Sequence, residues 1–166
     1  VKSKGGELSV ALHKEVLKEQ FDYYFEMKNT IKHDDSELLI VQDFTKFTYS
    51  NTSLEDLIVC VYYHDNLSPT SVSLMSYHHI GNFPNNIPFV KAVWNSLLAE
   101  VLETFGPLDI CIFSDGGGHH FKITENLVMW KELSEKYKVN VNYNFFPSNH
   151  GHGVCDGAAA NSKHKV

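Results

Sequence analysis

The run LDICIFSD (108–115) constrains the fold more than any other segment of this chain. It is too short for a helix, continuously apolar, and bounded by Gly106-Pro107 on one side and by three glycines (116–118) on the other. A strand apolar on both faces must be covered on both, which is the pattern of a central strand in a parallel layer with helices above and below. Helical patterns flank it as such a layer requires. Upstream, Asn85 or Asn86 can cap a helix with Pro88 in its first turn; Val90, Trp94, Leu97, Leu98, Val101, Leu102 and Phe105 then follow at helical spacing up to Gly106-Pro107. Downstream, Leu127, Trp130, Leu133 and Tyr137 mark a second helix.

The remaining segments read in the same way. Residues 9–31 carry Val10, Leu17, Phe21, Tyr24 and Ile31 near one helical stripe. LLIVQDFTKFTY (38–49), LIVCVYYH (57–64) and SVSLMSYHHIG (71–81) are strands, separated by the turns SNTSLED (50–56) and DNLSPT (65–70). Short turns between three strands predict an antiparallel meander. VNVNYNFF (139–146) alternates, with Val139, Val141, Tyr143 and Phe145 on one face and Asn140, Asn142 and Asn144 on the other. The asparagine face suits an edge strand touching solvent or another domain; a nucleic-acid-facing surface is the alternative. Tyr62, Tyr63, Phe145 and Phe146 are expected in the core, and CDGAAANSKHK (155–165) begins a last helix. The order α–βββ–α–β–α–β–α predicts an α/β fold. Its mixed five-stranded sheet has three antiparallel strands plus two parallel ones, reached by right-handed crossovers and flanked by helices. Residues 1–37 are expected as an N-terminal helical segment, and 38–166 as the core, its C-terminal helix truncated.

Composition limits the function classes. A chain of 166 residues with 43% hydrophobic content fits one packed domain, and no run of about 20 apolar residues could span a membrane. Cys60, Cys111 and Cys155 imply no disulfide framework, so an intracellular, reducing compartment is expected. The net charge of −6 argues against a self-sufficient nucleic-acid binder. An acidic site, however, repels phosphate only until its cations are loaded.

Three acids fall at sites with chemical meaning. Asp43 interrupts an apolar strand, and a buried carboxylate costs several kcal/mol unless it is paired or binds metal. Asp115 ends the central strand, at the carboxyl edge where sites form in open sheets with parallel strands. Asp156 opens the last helix on the same side of the sheet. If the first and fourth strands are neighbours, Asp43 and Asp115 can share a cation. Three such carboxylates suit two hard divalent ions that activate a hydroxyl and stabilise the leaving oxygen of a phosphodiester. Without metal, one of them would protonate. Each acid has a bland reading too: a buried Asp43 held by backbone donors, Asp115 as a turn former, Asp156 as a helix cap.

FSDGGGHHFK (113–122), NYNFFPSNHGHGVCDGAAANSKHKV (142–166) and VQDFTKF (41–47) carry a resemblance. Together they resemble the second-acid, third-acid and first-strand motifs of a eukaryotic transposase-like family with a ribonuclease-H-like catalytic domain of the DDE/DDD type. The resemblance spans about residues 38–166. It implies a nuclear, DNA-recombining enzyme that binds transposon ends and target DNA, works as a homodimer, and uses two Mg²⁺ or Mn²⁺ ions. It also implies that Asp43, Asp115 and Asp156 are catalytic metal ligands. Relatives of the wider fold often carry glutamate as the third acid; the matching residue here is Asp156. The group includes domesticated copies, so an inactive domain kept for DNA or protein binding is the alternative, and ribonuclease action on RNA–DNA hybrids a third.

Histidines cluster around the same motifs. His150 is a candidate catalytic residue, and His119, His120, Lys122 and His152 are candidate nucleic-acid contacts. His150 and His152 can equally serve as hydrogen-bonding residues of a Gly-rich turn. His150-x-His152-x-x-Cys155, with Cys111 or His119, has usable zinc spacing, a minor reading. A Cys155–His150 hydrolase has still less behind it, because no oxyanion-hole signal accompanies the pair.

Overall fold

The chain, seen as a computed structural model that describes residues 4–68, 71–106, 109–116, 121–147 and 153–163, follows the order read from its apolar runs. The elements are α1 (Lys4–Ile31), β1 (Glu37–Tyr49), β2 (Thr52–His64), β3 (Val72–Gly81) and α2 (Ile87–Phe105), then β4 (Asp109–Ser114), α3 (Thr124–Tyr137), β5 (Val141–Phe145) and α4 (Gly153–Lys163). They build one five-stranded sheet in the order β3-β2-β1-β4-β5. β1, β2 and β3 pair antiparallel, while β4 runs parallel to both β1 and β5.

Strand alternation divides the interior into two layers. Leu38 and Ile40 of β1 face Trp94, Leu98 and Val101 of α2 and Trp130 and Leu133 of α3. Leu39 and Val41, one step out of phase, face Tyr24, Met27 and Ile31 of α1 and Cys155 and Ala159 of α4. A period of two on the strand thus sends each apolar residue to one of two helical layers. That is why β4 needed to be apolar throughout: Ile110 and Ile112 join the first layer, Cys111 and Phe113 the second. The aromatic expectations hold for Tyr62 and Phe146, which are buried, while Tyr63 and Phe145 are partly buried against the core.

The turn predicted over 50–56 is shorter than expected. Only Ser50 and Asn51 turn, both at positive φ (47° and 64°), and Thr48 already pairs with Ser53. Two consecutive left-handed residues make the tight hairpin that matches strand twist, so Ser53–Asp56 are strand despite their polarity. Neither residue is glycine. Ser50→Asn combined with Asn51→Gly is therefore expected to stabilise the chain by about 1 kcal/mol in urea denaturation, by relieving left-handed backbone.

The predicted cap of α2 resolves in favour of Asn86, whose side chain accepts from the Phe89 N–H, with proline in the first turn. The helix ends at Gly106 at φ 89°, a conformation that glycine adopts without strain. The asparagine face of β5 meets protein along its length: Asn142 donates to the Tyr23 hydroxyl of α1 at 2.8 Å, Asn140 to Asp109 Oδ1 at 2.9 Å and Asn144 to Cys111 Sγ at 3.5 Å. β5 is the edge strand of the sheet, as its alternation suggested.

Candidate active site

The last registered pair between β1 and β4 is Gln42 opposite Ser114. Asp43 and Asp115 are the next residue of each strand, so the two acids stand side by side at the carboxyl edge, on chains about 4.8 Å apart. Alternation puts Asp43 on the face of Leu39 and Val41, and Asp115 on the face of Cys111 and Phe113, which is the same α1/α4 side. Here β4 stops while β1 continues to Tyr49, so Asp43 lies mid-strand at the end of its neighbour.

Both carboxyls are half-buried. Asp43 Oδ1 accepts from the Phe44 N–H at 2.8 Å. Asp115 Oδ1 is buried without a hydrogen-bond partner among the described residues. An acceptor taken from water with nothing donating to it is costly, and a cation is one of the few partners that would offset the loss.

Asp156 lies in the first turn of α4 and is exposed. Its neighbour Cys155 turns inward, with Sγ 3.7 Å from the Val41 carbonyl oxygen and 4.0 Å from Cys60 Sγ. The hydrogen bond with Cys60 pushes the Cys155 thiol well up from its ordinary pKa; burial adds to this, as do the charges of Asp43 and Asp156. Among the described residues, no group of three or more His, Cys, Asp or Glu side chains gathers to hold a metal ion. The structure therefore sets Asp43 beside Asp115 and brings α4 alongside, without closing the three carboxylates into one cluster. All the donors are carboxylate oxygens, the ligand chemistry hard divalent cations prefer, and the unpartnered Asp115 oxygen fits that use.

Of the other candidates, Lys122 is exposed, with Nζ 5.8 Å from the centre of the Phe145 ring. His119, His120, His150 and His152 lie outside the described residues. The hydrolase reading loses its nucleophile, since a buried thiol with a raised pKa is a poor one. The zinc reading would need Cys155 to turn away from Cys60 and Val41.

The sequence reading passed over the residues that hold the two strands in place. Gln42 and Ser114, directly before Asp43 and Asp115, are fully buried on the opposite face. Trp94 Nε1 donates to Gln42 Oε1 at 2.7 Å, and Gln42 Nε2 donates to the Tyr143 hydroxyl at 2.8 Å. Because an indole only donates, it fixes the orientation of the amide, and the Tyr143 hydroxyl shares a further hydrogen bond with Ser114 Oγ at 2.9 Å, in which either hydroxyl can donate. Burial pushes the Tyr143 phenol up to about 12, so it stays protonated. This chain ties α2, β1, β5 and β4 together beneath the acids. A glutamine inside an otherwise apolar strand was the available signal.

Comparison with known proteins adds a family and a fold. Residues 20–166 match the family described as a domain of unknown function, DUF8701. No curated protein matches the chain. Among solved structures, LC9-RNase H1, described as a type 1 RNase H with the type 2 active-site motif, superposes with a TM-score of 0.51 at 11% identity, over 76% of this chain and 70% of that one. A simian T-cell lymphotropic virus intasome in complex with PP2A regulatory subunit B56 gamma superposes at 0.46, with 14% identity over 76% of this chain and 40% of that one. The HTLV-2 integrase catalytic core domain, in complex with magnesium, superposes at 0.39, with 14% identity over 76% and 66%. The shared property is a ribonuclease-H-like fold.

Proposed function

This chain belongs to the DUF8701 family, a domain of unknown function with a ribonuclease-H-like fold, and we propose that it is a metal-dependent polynucleotidyl transferase or nuclease domain of a DNA transposase. The observation that carries the reading is the placement of Asp43 beside Asp115, each one step beyond the last registered pair of the parallel strands β1 and β4, one buried carboxyl oxygen of Asp115 having no hydrogen-bond partner among the described residues. Asp43 and Asp115 would hold Mg²⁺ or Mn²⁺ as the principal ligands, and Asp156 would complete the set from α4. Bound there, divalent ions supply charge neutralisation at the phosphodiester and a more acidic hydroxyl nucleophile. The chain's own contribution is placement: β1 and β4 fix two carboxylates in register, and the Gln42–Tyr143–Ser114 chain keeps those strands from sliding. His150 as a catalytic residue, and His119, His120, Lys122 and His152 as nucleic-acid contacts, are part of the same proposal. So are DNA ends and target as substrate, a homodimer as the working form, and the nucleus as its place in a eukaryotic cell.

A non-catalytic domesticated domain is the second reading. It is favoured by the net charge of −6 and by the lack of a three-ligand cluster among the described residues. The two separate on one assay. With a labelled duplex or single-stranded oligonucleotide in Mg²⁺ or Mn²⁺, the wild-type chain is expected to nick or join strands, and Asp43→Asn to lose at least about a thousandfold in rate, several kcal/mol of barrier. Binding with no metal-dependent cleavage would favour the second reading.

A further inference from the structure

Asp56 of β2 was read as part of a turn, yet it is a strand residue with 1% of its surface exposed. Both of its oxygens are taken: Oδ2 by His78 Nδ1 of β3 at 2.8 Å and Oδ1 by the His79 backbone N–H at 3.1 Å. A carboxylate so occupied is not a metal ligand. What it does is fix an imidazole. An ionised Asp56 can only accept, so the proton sits on Nδ1 and the ring is held with Nε2 turned away from the acid.

The register places this ring with respect to the proposed metal site. His78 pairs with Ile58, and Ile58 with Asp43, so His78, Ile58 and Asp43 form one row across the sheet. Paired residues point to the same face, and Ile58 belongs to the α1/α4 layer. His78 thus stands two strands from Asp43, about 10 Å away at ordinary strand spacing and on the same side. It also lines a cleft of about 630 Å³ between β3 and α4, whose other walls are Leu74, Ser76, Val154, Gly157, Ala158 and Asn161. The polar lining is an imidazole, a hydroxyl and an amide, with no carboxylate among the lining residues. In a chain of net charge −6, a polar cleft lined without carboxylates is a place apart.

We infer that His78, positioned by Asp56, binds a backbone phosphate of the nucleic-acid strand in the β3–α4 cleft, beside the scissile position. The inference rests on the proposed function for its choice of anion. About one to two nucleotides of extended backbone span the separation between His78 and Asp43, so a strand with one phosphate at the acids can set a nearby phosphate on this ring. Asp56 keeps the imidazole oriented, and the contact to phosphate is made from Nε2 of the protonated ring.

Binding tests this without requiring turnover. Fluorescence anisotropy of a labelled oligonucleotide, with Ca²⁺ as the supporting ion, is to be measured for the whole wild-type chain, His78→Gln, His78→Ala and Asp56→Asn, each first shown to be folded by circular dichroism. Thermal stabilisation by Mn²⁺ is measured in parallel as the readout of the acid site. Both His78 variants are expected to bind about tenfold more weakly, as loss of a charge-assisted hydrogen bond predicts, and to keep the full Mn²⁺ response. His78→Gln retains a donor toward Asp56, so it covers the case in which His78→Ala fails to fold. Unchanged affinity in folded His78→Gln overturns the inference, and so does a wild-type chain that responds to Mn²⁺ but binds no oligonucleotide. Affinity that depends on His78 in a chain with no Mn²⁺ response overturns the catalytic reading and leaves the phosphate contact standing.

Discussion

Asp115→Asn is expected to melt later than the wild-type chain in EDTA and earlier in Mn²⁺, so that the two melting curves exchange places when metal is added. The reasoning starts from two half-buried carboxyls side by side, one with an unpartnered buried oxygen. Like charges at that distance disfavour each other, and a neutral amide removes the repulsion together with the charge desolvation. The gain is about 1 kcal/mol, or about 2–4 °C for a chain of this size. In the wild type, a cation bound only by the folded state stabilises it by about 2.7 kcal/mol at a hundred times its dissociation constant. That is roughly 5–10 °C by the same conversion. The amide is a weak ligand for a hard cation, so the variant forgoes that shift. Differential scanning fluorimetry with EDTA and with millimolar Mn²⁺ gives all four values. If the variant melts earlier in both, Asp115 is a structural residue whose partner matters more than its charge. Asp43→Asn should behave alike on metal, but with a smaller gain in EDTA, because Asp43 already accepts from the Phe44 N–H.

What the sequence disclosed and what it hid follow from one distinction. Apolar periodicity reports which face of an element is covered, and it placed β1, β4, α2 and α3 because each carries a fully buried stretch or face. It also found Asp43, since a carboxylate inside LLIVQDFTKF violates its surroundings. The neighbouring residue Gln42 went unweighed, although a fully buried amide is as much a violation. Its meaning lies with Trp94 and Tyr143, 52 and 101 residues away in the chain, which no local pattern can pair. Asp56 was hidden by a different effect: SNTSLED has turn composition, and tertiary pairing with β1 and β3 overrides it. The convergence of Asp43 and Asp115 was legible only through topology, because it requires β4 to lie beside β1 rather than beside β3. Asp156 illustrates the limit of that logic. A helix start tells which end of the sheet a residue occupies; the exposure of Asp156 depends on how α4 is rotated, which Cys155 and Ala159 decide by filling the α1/α4 layer.

The largest stability loss is expected at Trp94, and its size can be divided between packing and the polar chain it anchors. Trp94 is fully buried, meets Trp130 edge-on at 4.7 Å between ring centroids, and donates to Gln42. Trp94→Ala removes the ring and leaves a cavity between α2 and the sheet, at a cost of about 3–5 kcal/mol. Trp94→Phe keeps most of the apolar area but leaves Gln42 Oε1 buried with no donor, costing about 1–3 kcal/mol. Gln42→Leu orphans the indole N–H and withdraws one partner from Tyr143, and should cost a similar amount. In the double variant, Trp94→Phe with Gln42→Leu, the two orphaned groups disappear together, so its cost should fall short of the sum of the single changes by about 0.5–3 kcal/mol. Urea denaturation of the four chains gives that coupling directly. A strictly additive double variant would mean that the indole–amide bond contributes nothing beyond packing, and Gln42 would then lose its claim to hold β1 in register with β4. With coupling of the expected size, the register that sets Asp43 beside Asp115 is enforced from the opposite face of the sheet, by residues that touch neither acid.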